Sequence, residues 1–278
     1  MGDFFTNDIF KTIEPPSTVS FSIKGVSLPT NQDVYFMAKW HEIFERYQSA
    51  RLFLRKAYEG DWEDWFNPSE DTDKNRADDF NEYVRWIYKS ELYETALINY
   101  NILVDLSWAI TYVSAEYVLY KFDSDGNVKN ADEIRGMHPI DEAFSILRKV
   151  ENSTVAPTAE NNPFTYLKVM TPDFSNAVDL IISFWRQFGD TNIRNLYNFI
   201  KHKGKPVYEE LDRDNTKFFS IHINNSTYPS DIRDVQKRVS AEAGIQELIA
   251  FDNDKLFPYI KQLIKSLKDA VKPSLMIM

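Results

Sequence analysis

Helical periodicity in two long stretches constrains the fold of this chain more than any other feature. Between residue 32 and about residue 59, apolar residues recur at helical spacing, namely Phe36, Trp40, Ile43, Phe44, Tyr47, Phe53 and Leu54. A second stretch, from about residue 77 to residue 122, contains the apolar run between Leu97 and Leu119. Apolar residues three or four positions apart share one face of a helix. The two stretches therefore predict long antiparallel helices joined by an acidic connection, as in a helical bundle.

Shorter elements complete a mainly all-α, bundle-like prediction. Further helices are predicted over residues 141–151, 164–170, 172–188, 193–203, 231–248 and 254–271. Two stretches, 18–28 and 217–223, instead alternate apolar and polar residues, which is the period of a β-strand. We expect these two strands to pair as a small two-stranded decoration. The predicted organisation is an irregular N-terminal segment with a strand over 1–31 and a single helical domain over 32–278, with a strand inserted near 217–223.

Composition favours a well-packed domain and excludes several kinds of chemistry. Of the 278 residues, 15% are aromatic and only eight are glycine, which argues against disorder. The chain has no cysteine, so disulfides, thiolate metal sites and a cysteine nucleophile are excluded. The first ten residues include two aspartates and no basic or apolar signal segment, so we expect a cytoplasmic location.

The apolar window over 103–120 is interrupted by Asp105 and Glu116, so it predicts a buried core helix and no membrane association.

No metal or cofactor is predicted from the sequence. The histidines never stand in the His-x-x-x-His or Glu-x-x-His spacing of zinc proteases and di-iron bundles. The aspartate-rich turn at 123–128 would need a glutamate where Ile134 stands to bind calcium. No glycine-rich phosphate loop is present.

The charge distribution singles out one segment as a binding surface. A net charge of −10 disfavours adhesion of nucleic acid over the whole surface, because binding to phosphates depends on basic side chains. Between residues 194 and 205 the sign reverses, since five basic or imidazole side chains occur there without an acid: Arg194, Lys201, His202, Lys203 and Lys205. A polynucleotide would therefore have to bind at this local basic patch.

The same segment predicts an amphipathic helix. At about 100° per residue, one side holds Ile193, Leu196, Tyr197 and Ile200, and the opposite arc holds Arg194, Asn195, Asn198, Lys201 and His202. Gly204 and Pro206 should end this helix, so His202 falls in its last turn. The carbonyl groups there favour a protonated imidazole, which suits an acid or base near neutral pH. A solvated surface helix has the same pattern, although paired asparagines lower helix propensity.

The order of these residues resembles the HEPN superfamily. Arg194-Asn195, followed by Asn198-Phe-Ile-Lys-His202, is similar to its signature, in which an arginine, often followed directly by asparagine, is separated by four to six residues from a histidine. The resemblance implies a helical bundle, commonly homodimeric, which in many members is a metal-independent ribonuclease of bacterial toxin–antitoxin, CRISPR or antiphage systems. Seven residues separate Arg194 from His202 here, so the two side chains lie about 80° apart around the helix.

The resemblance also implies roles for individual residues. His202, Arg194 and Asn195 would be catalytic in a site shared across a homodimer, and the substrate-binding residues would be Asn198, Lys201, Lys203 and Lys205. The implied partners are RNA or a nucleotide and an antitoxin or another defence protein. Two alternatives remain open. The chain could be a HEPN-like module that binds a nucleotide, RNA or protein without cleavage, or an unrelated helical scaffold with a solvated polar arc.

Overall fold

The structure is a computed structural model that describes residues 21–23, 31–60, 74–125, 127, 129, 167–169, 171–212, 222–223, 226–227, 237–271 and 275–277. The predicted helix over 141–151 lies outside the described residues. Where the chain is described, helices dominate, which confirms the mainly all-α prediction.

The bounds of six α-helices are described, and most fall where periodicity places them. Residues 167–169 are also helical, within the predicted helix over 164–170. They are α1 (Asn31–Glu59), α2 (Lys74–Lys121), α3 (Ser175–Phe188), α4 (Asn192–Lys203), α5 (Ala241–Phe251) and α6 (Phe257–Ala270). A 3₁₀ turn over Pro172–Phe174 precedes α3, and a π-helical turn over Asp252–Leu256 joins α5 to α6. The described strands are short: β1 (Phe21–Ile23), β2 (Val207–Tyr208), β3 (His222–Ile223), β4 (Ser226–Thr227), β5 (Arg238–Val239) and β6 (Leu275–Ile277).

The two long helices are antiparallel, as predicted. Phe36 of α1 stacks on Tyr117 of α2 with ring centroids 4.2 Å apart, and the Trp40 indole N–H donates to Ser114 Oγ at 3.3 Å. Further along α1, Arg46 Nη1 donates to Asn99 Oδ1 at 3.0 Å. As residue numbers increase along α1, the numbers of the residues they contact in α2 decrease, so the two helices run in opposite directions.

Part of α2 is apolar enough to be compared with a membrane span. Over Asp79–Lys121 the most apolar 18-residue window has a mean hydropathy of 1.3, and 61% of that window is buried inside the protein. Length and composition alone would allow this helix to cross a membrane, but core helices of soluble proteins pass the same test. Within residues 103–120, the window that the sequence predicts as a buried core helix, the buried residues include Leu103, Val104, Ala109, Ile110 and Val113.

The expected pairing between the strands at 18–28 and 217–223 is wrong. β1 pairs antiparallel with β6, so that Phe21 faces Ile277, while β3 pairs antiparallel with β4, so that His222 faces Thr227. For β3, a partner two residues away closes a much shorter loop than a strand some two hundred residues away, so pairing with β4 loses less chain entropy than pairing with β1. The apolar Leu-Met-Ile run near the C-terminus then supplies the partner of β1.

The predicted helix over 231–248 also needs correction. Residues 238–239 form β5, which pairs in parallel with β2, and α5 begins only at Ala241. The predicted start of the last helix at residue 254 is replaced by the π-helical turn, which continues α5 into α6 without a loop. In both places tertiary contacts set the boundary, and periodicity alone does not encode them.

The chain divides into two compact units. The first contains residues 1–48, 99–191 and 251–278, and the second contains residues 49–98 and 192–250. In the first unit, α3 buries Ala177, Val178, Ile181 and Phe188, and Phe174 of the preceding 3₁₀ turn is also buried. Trp185 of α3 packs edge-to-face on Trp108, with ring centroids 5.1 Å apart. The core of the second unit includes Ala96, Leu97, Ile193, Leu196, Tyr197, Tyr208, Ile245 and Leu248.

A buried carboxylate organises the first unit around the π-helical turn. Asp252 is fully buried, and its two oxygens accept hydrogen bonds from Tyr47 Oη at 2.6 Å and from Tyr100 Oη at 2.5 Å. Burial of a carboxylate is costly unless such donors replace water. We call Asp252, Tyr47 and Tyr100 the aspartate knot, and it links α1, α2 and the turn within this unit.

Candidate functional site

Helix α4 has the two faces that its sequence predicts. Ile193, Leu196 and Tyr197 are buried and Ile200 is half-buried. The opposite arc presents exposed side chains and one half-buried arginine: Asn195, Asn198, Lys201 and His202 are exposed, and Arg194 is half-buried. We call these five residues the polar arc. Because the other face fixes the helix in the core of the second unit, the arc is held at the surface.

The C-terminal end of α4 also falls where the sequence predicts it. Gly204 has a φ of +114°, a conformation that side-chain-bearing residues rarely adopt, and its N–H donates to the Phe199 carbonyl at 3.2 Å. The helix therefore stops after Lys203. His202 therefore lies in the last turn of α4.

Tyr197 aligns two cations of the polar arc. The Arg194 guanidinium lies over its ring, 5.1 Å from the centroid, and Lys201 Nζ lies 5.8 Å from the same centroid. Seven residues correspond to almost two helical turns, so Arg194 and Lys201 share one row along the helix. The cation–π contacts favour this row of positive charge at the edge of the arc.

The helix does not bring Arg194 and His202 together directly. Their separation of eight positions turns the two side chains about 80° apart, and Asn198 lies between them, four positions from each. Within the described part of the chain, no hydrogen bond or ion pair engages the side chain of either Asn198 or His202. The arc thus offers an imidazole, an amide and a row of cations to an anionic ligand. A phosphate group fits this donor set.

Two lysines predicted to bind substrate lie away from the polar arc. Lys203 is nine positions beyond Arg194, which places it half a turn away on the opposite side of the helix. Lys205 follows Gly204 and turns back towards α2, where its Nζ is ion-paired with Glu91 and lies 3.7 Å from Glu94 Oε1. Partial burial opposes the charged form, but the two glutamates raise the pKa of Lys205. Of the predicted site residues, Arg194, Asn195, Asn198, Lys201 and His202 therefore lie on one arc of α4, and Lys203 and Lys205 lie outside that arc.

Sequence reasoning missed a buried pair immediately beyond α4. Tyr208 is only 2% exposed, and its Oη donates to Glu94 Oε1 at 2.9 Å. Burial raises the pKa of the Glu94 carboxyl, although the hydrogen bond from Tyr208 and the charge of Lys205 oppose the shift. Burial and the neighbouring glutamate also raise the pKa of Tyr208, so its phenol remains a hydrogen-bond donor. The partners are 114 residues apart, and no local pattern encodes their contact.

The segment that follows α4 is fixed at several points within the second unit. We call residues 204–212 the strap. Its Val207 N–H donates to the Lys237 carbonyl at 2.9 Å as β2 pairs with β5, and Asp212 is ion-paired with Arg238. Glu210 accepts hydrogen bonds from Ser240 Oγ at 2.7 Å and from the N–H groups that begin α5, those of Ala241 at 3.0 Å and Glu242 at 3.1 Å.

No family model, no curated protein and no solved structure matches the chain. Among the described residues, no three histidine, aspartate or glutamate side chains converge where a metal ion could bind.

Proposed function

We propose that the polar arc of α4 is the RNA-binding and RNA-cleaving surface of a HEPN-like, metal-independent endoribonuclease. The observation that carries the proposal is the joint exposure of Asn195, Asn198, Lys201 and His202 on one side of a helix whose other side is buried. A protein of net charge −10 has little general affinity for nucleic acid, so a local basic arc with an imidazole is the surface suited to RNA.

The chemistry needs two proton-transfer groups and a source of positive charge. A base removes the proton of the ribose 2′-hydroxyl, whose oxygen attacks the adjacent phosphorus. The bond to the 5′-oxygen breaks, and an acid protonates that leaving oxygen. The products are a 2′,3′-cyclic phosphate and a 5′-hydroxyl. His202 suits either proton transfer, and Arg194 and Lys201 would stabilise the negative charge that builds up on the phosphorane.

A single α4 supplies one imidazole, so the proposal includes a homodimer. In a two-fold dimer that faces one polar arc with its copy, one His202 acts as the base and the equivalent histidine of the second copy acts as the acid. Asn195 and Asn198 would orient the phosphate or the imidazole. The wider assignment to a cytoplasmic bacterial toxin or phage-defence system, with an antitoxin or defence partner, rests on the resemblance of the Arg-Asn…His order alone.

The test incubates purified protein with mixed RNA in excess chelator and analyses the fragment ends. Wild type should produce fragments with cyclic phosphate ends, and His202→Ala should reduce cleavage by about 10²- to 10⁴-fold, the usual contribution of a general acid or base. His41→Ala is the matched control, because His41 is also an exposed helical histidine but lies on α1. Equal cleavage by the His202 variant, or loss of cleavage in chelator, would overturn the proposal.

A second candidate function is RNA or nucleotide binding without cleavage. The observation that favours it is the position of the Arg194 guanidinium, which lies over Tyr197 and about 80° from His202 around the helix. In that case wild type should bind RNA, Lys201→Ala should weaken the binding, and no products should form under any condition. A wild-type protein that stays monomeric at high concentration would exclude the shared active site and leave this second function.

A further inference from the structure

We infer that Glu94 and Tyr208 are positioning residues that hold the last turn of α4, and with it His202 and Lys201, in place from α2. On this inference Lys205 is a tether of the same anchor and does not contact phosphate. The inference deepens the proposed function and rests on it for its catalytic consequence. Its structural part concerns only the second compact unit.

The chain geometry places the anchor close to the imidazole. Gly204 ends α4 two residues after His202 and redirects the chain, so that Lys205 and Tyr208 both return to α2. The last turn of a helix has carbonyl groups without intrahelical partners and tends to fray. A side chain fixed six residues beyond His202 opposes that fraying. The polar arc therefore depends on a contact that is not part of it.

Burial identifies Glu94 and Tyr208 as the strong part of the anchor. Tyr208 is 2% exposed and the Glu94 side chain is 12% exposed, whereas the side chains of Lys205 and Glu91 are about half exposed. Exposed ion pairs contribute little to stability on average. A buried hydrogen bond to a carboxylate contributes more, and loss of one partner leaves the other buried without compensation.

The anchor is supported from behind by Tyr93. Its ring meets the Tyr208 ring edge-to-face, with centroids 6.2 Å apart and an interplanar angle of 82°. The Tyr93 ring in turn lies against Gly244 of α5, where an added Cβ would be only 2.4 Å from the tyrosine oxygen. Packing from α2 and α5 thus fixes the phenol that holds the end of α4. A functional group is precise when such packing locks its supporting residues.

The first experiment compares three variants by amide hydrogen exchange and by RNA cleavage. Tyr208→Phe removes only the hydroxyl, Glu94→Ala removes the acceptor, and Glu94→Gln keeps an oxygen that accepts the same hydrogen bond. We expect exchange of the amides over 200–208 to accelerate about five- to tenfold in the first two variants, the equivalent of one hydrogen bond. Turnover at saturating RNA should fall by a similar factor with KM little changed, and Glu94→Gln should restore both.

Exchange in α5 is the internal control, because the anchor acts on α4. If the amides of Ala241–Phe251 accelerate as much as those of 200–208, the variants only destabilise the unit and the positioning role is wrong. If exchange near the end of α4 stays at the wild-type rate in Tyr208→Phe, the anchor itself is wrong. The exchange measurement needs no RNA, so it tests the anchor independently of RNA binding. If the wild-type protein neither binds nor cleaves RNA, the proposed function is wrong, but the anchor can still be confirmed by exchange.

A second experiment separates the tether from a phosphate contact. Each lysine that binds a phosphate of single-stranded RNA contributes about 0.7 to the slope of log affinity against log salt. Lys201→Ala should lower that slope, whereas Lys205→Ala should leave it unchanged. Lys205→Glu should accelerate exchange over 200–208, because it places a carboxylate beside those of Glu91 and Glu94. The role of Lys205 as a tether would be wrong if Lys205→Ala lowers the slope as much as Lys201→Ala does, or if exchange in Lys205→Glu stays at the wild-type rate.

Discussion

The aspartate knot of the first unit and the polar arc of the second are both clusters of polar side chains, but they lie in opposite environments. Asp252 is fully buried and receives two tyrosine hydroxyls, so its polar atoms are satisfied by the protein. In the polar arc, Asn198 and His202 are exposed, and no described side chain satisfies them. Of these two clusters, the aspartate knot supports the fold of its unit, and the polar arc is exposed to solvent.

The comparison leads to opposite expectations for substitution. Removal of a buried, satisfied polar group leaves its partners without hydrogen bonds and lowers stability. Removal of an exposed polar group from a helix surface changes stability little, and it changes function if the group binds a ligand.

Asp252→Ala should have the largest effect on stability. The substitution leaves the hydroxyls of Tyr47 and Tyr100 buried without this acceptor, and we expect the free energy of unfolding to fall by about 3 kcal/mol. Urea denaturation followed by circular dichroism measures the change. Asp254→Ala is the matched control, because Asp254 is exposed in the same π-helical turn and should change stability by no more than about 0.5 kcal/mol. If both variants lower the free energy of unfolding equally, the distinction between buried and exposed polar groups is wrong.

Glu210→Ala should have an intermediate effect. Glu210 caps the start of α5, and loss of a helix cap usually costs about 1 kcal/mol. Burial alone would raise its pKa, but the hydrogen bonds from Ser240 and the N–H groups of Ala241 and Glu242 lower the pKa of Glu210 below the ordinary 4.5.

The lowered pKa gives this prediction a pH dependence. The ionised carboxylate stabilises the fold above pH 4.5, and that contribution should decline as the pH falls through 4.5 towards the folded-state pKa. Wild type and Glu210→Ala should therefore differ most near neutrality and converge in acid, measured as unfolding free energy against pH. A difference that grows in acid would show that the carboxylate charge is not what caps the helix.

Asn198→Ala should have the smallest effect on stability and the opposite sign. At an exposed helix position alanine is more favourable than asparagine by roughly 0.5 kcal/mol, so the variant should be slightly more stable than wild type. If Asn198 orients the phosphate, the same variant should bind or cleave RNA less well. Thermal unfolding and the RNA assay on one preparation measure both changes. If the variant gains stability and keeps full RNA activity, Asn198 is a solvent-exposed surface residue without a role in RNA binding or cleavage.

Sequence patterns predict the parts of this structure that depend on neighbours along the chain. The spacing of Trp40 and Leu97 with their neighbours predicts the long helices, and the burial of Ile193 and Leu196 confirms the orientation predicted for α4. The stop at Gly204 also follows from local conformation. In each case the determining residues lie within one or two helical turns of each other.

The features that sequence reasoning missed depend on partners far away in the chain. Asp252 falls in what the pattern predicts as a break between helices, because its donors Tyr47 and Tyr100 lie 205 and 152 residues away. Lys205 belongs to a run of basic residues, and its partner Glu91 is 114 residues away. A charge pattern shows which groups could bind a phosphate, but it cannot show that a carboxylate of the same chain already occupies one of them.

The contact between Gly244 and the Tyr93 ring has a consequence for how this protein can vary. Gly244 has no side chain to contribute, yet even a methyl group there would force the tyrosine ring away from the position that supports Tyr208. Lys203, by contrast, belongs to the conspicuous basic run but is exposed on the side of α4 away from the polar arc. In a deep mutational library, Gly244 should therefore tolerate far fewer replacements than Lys203.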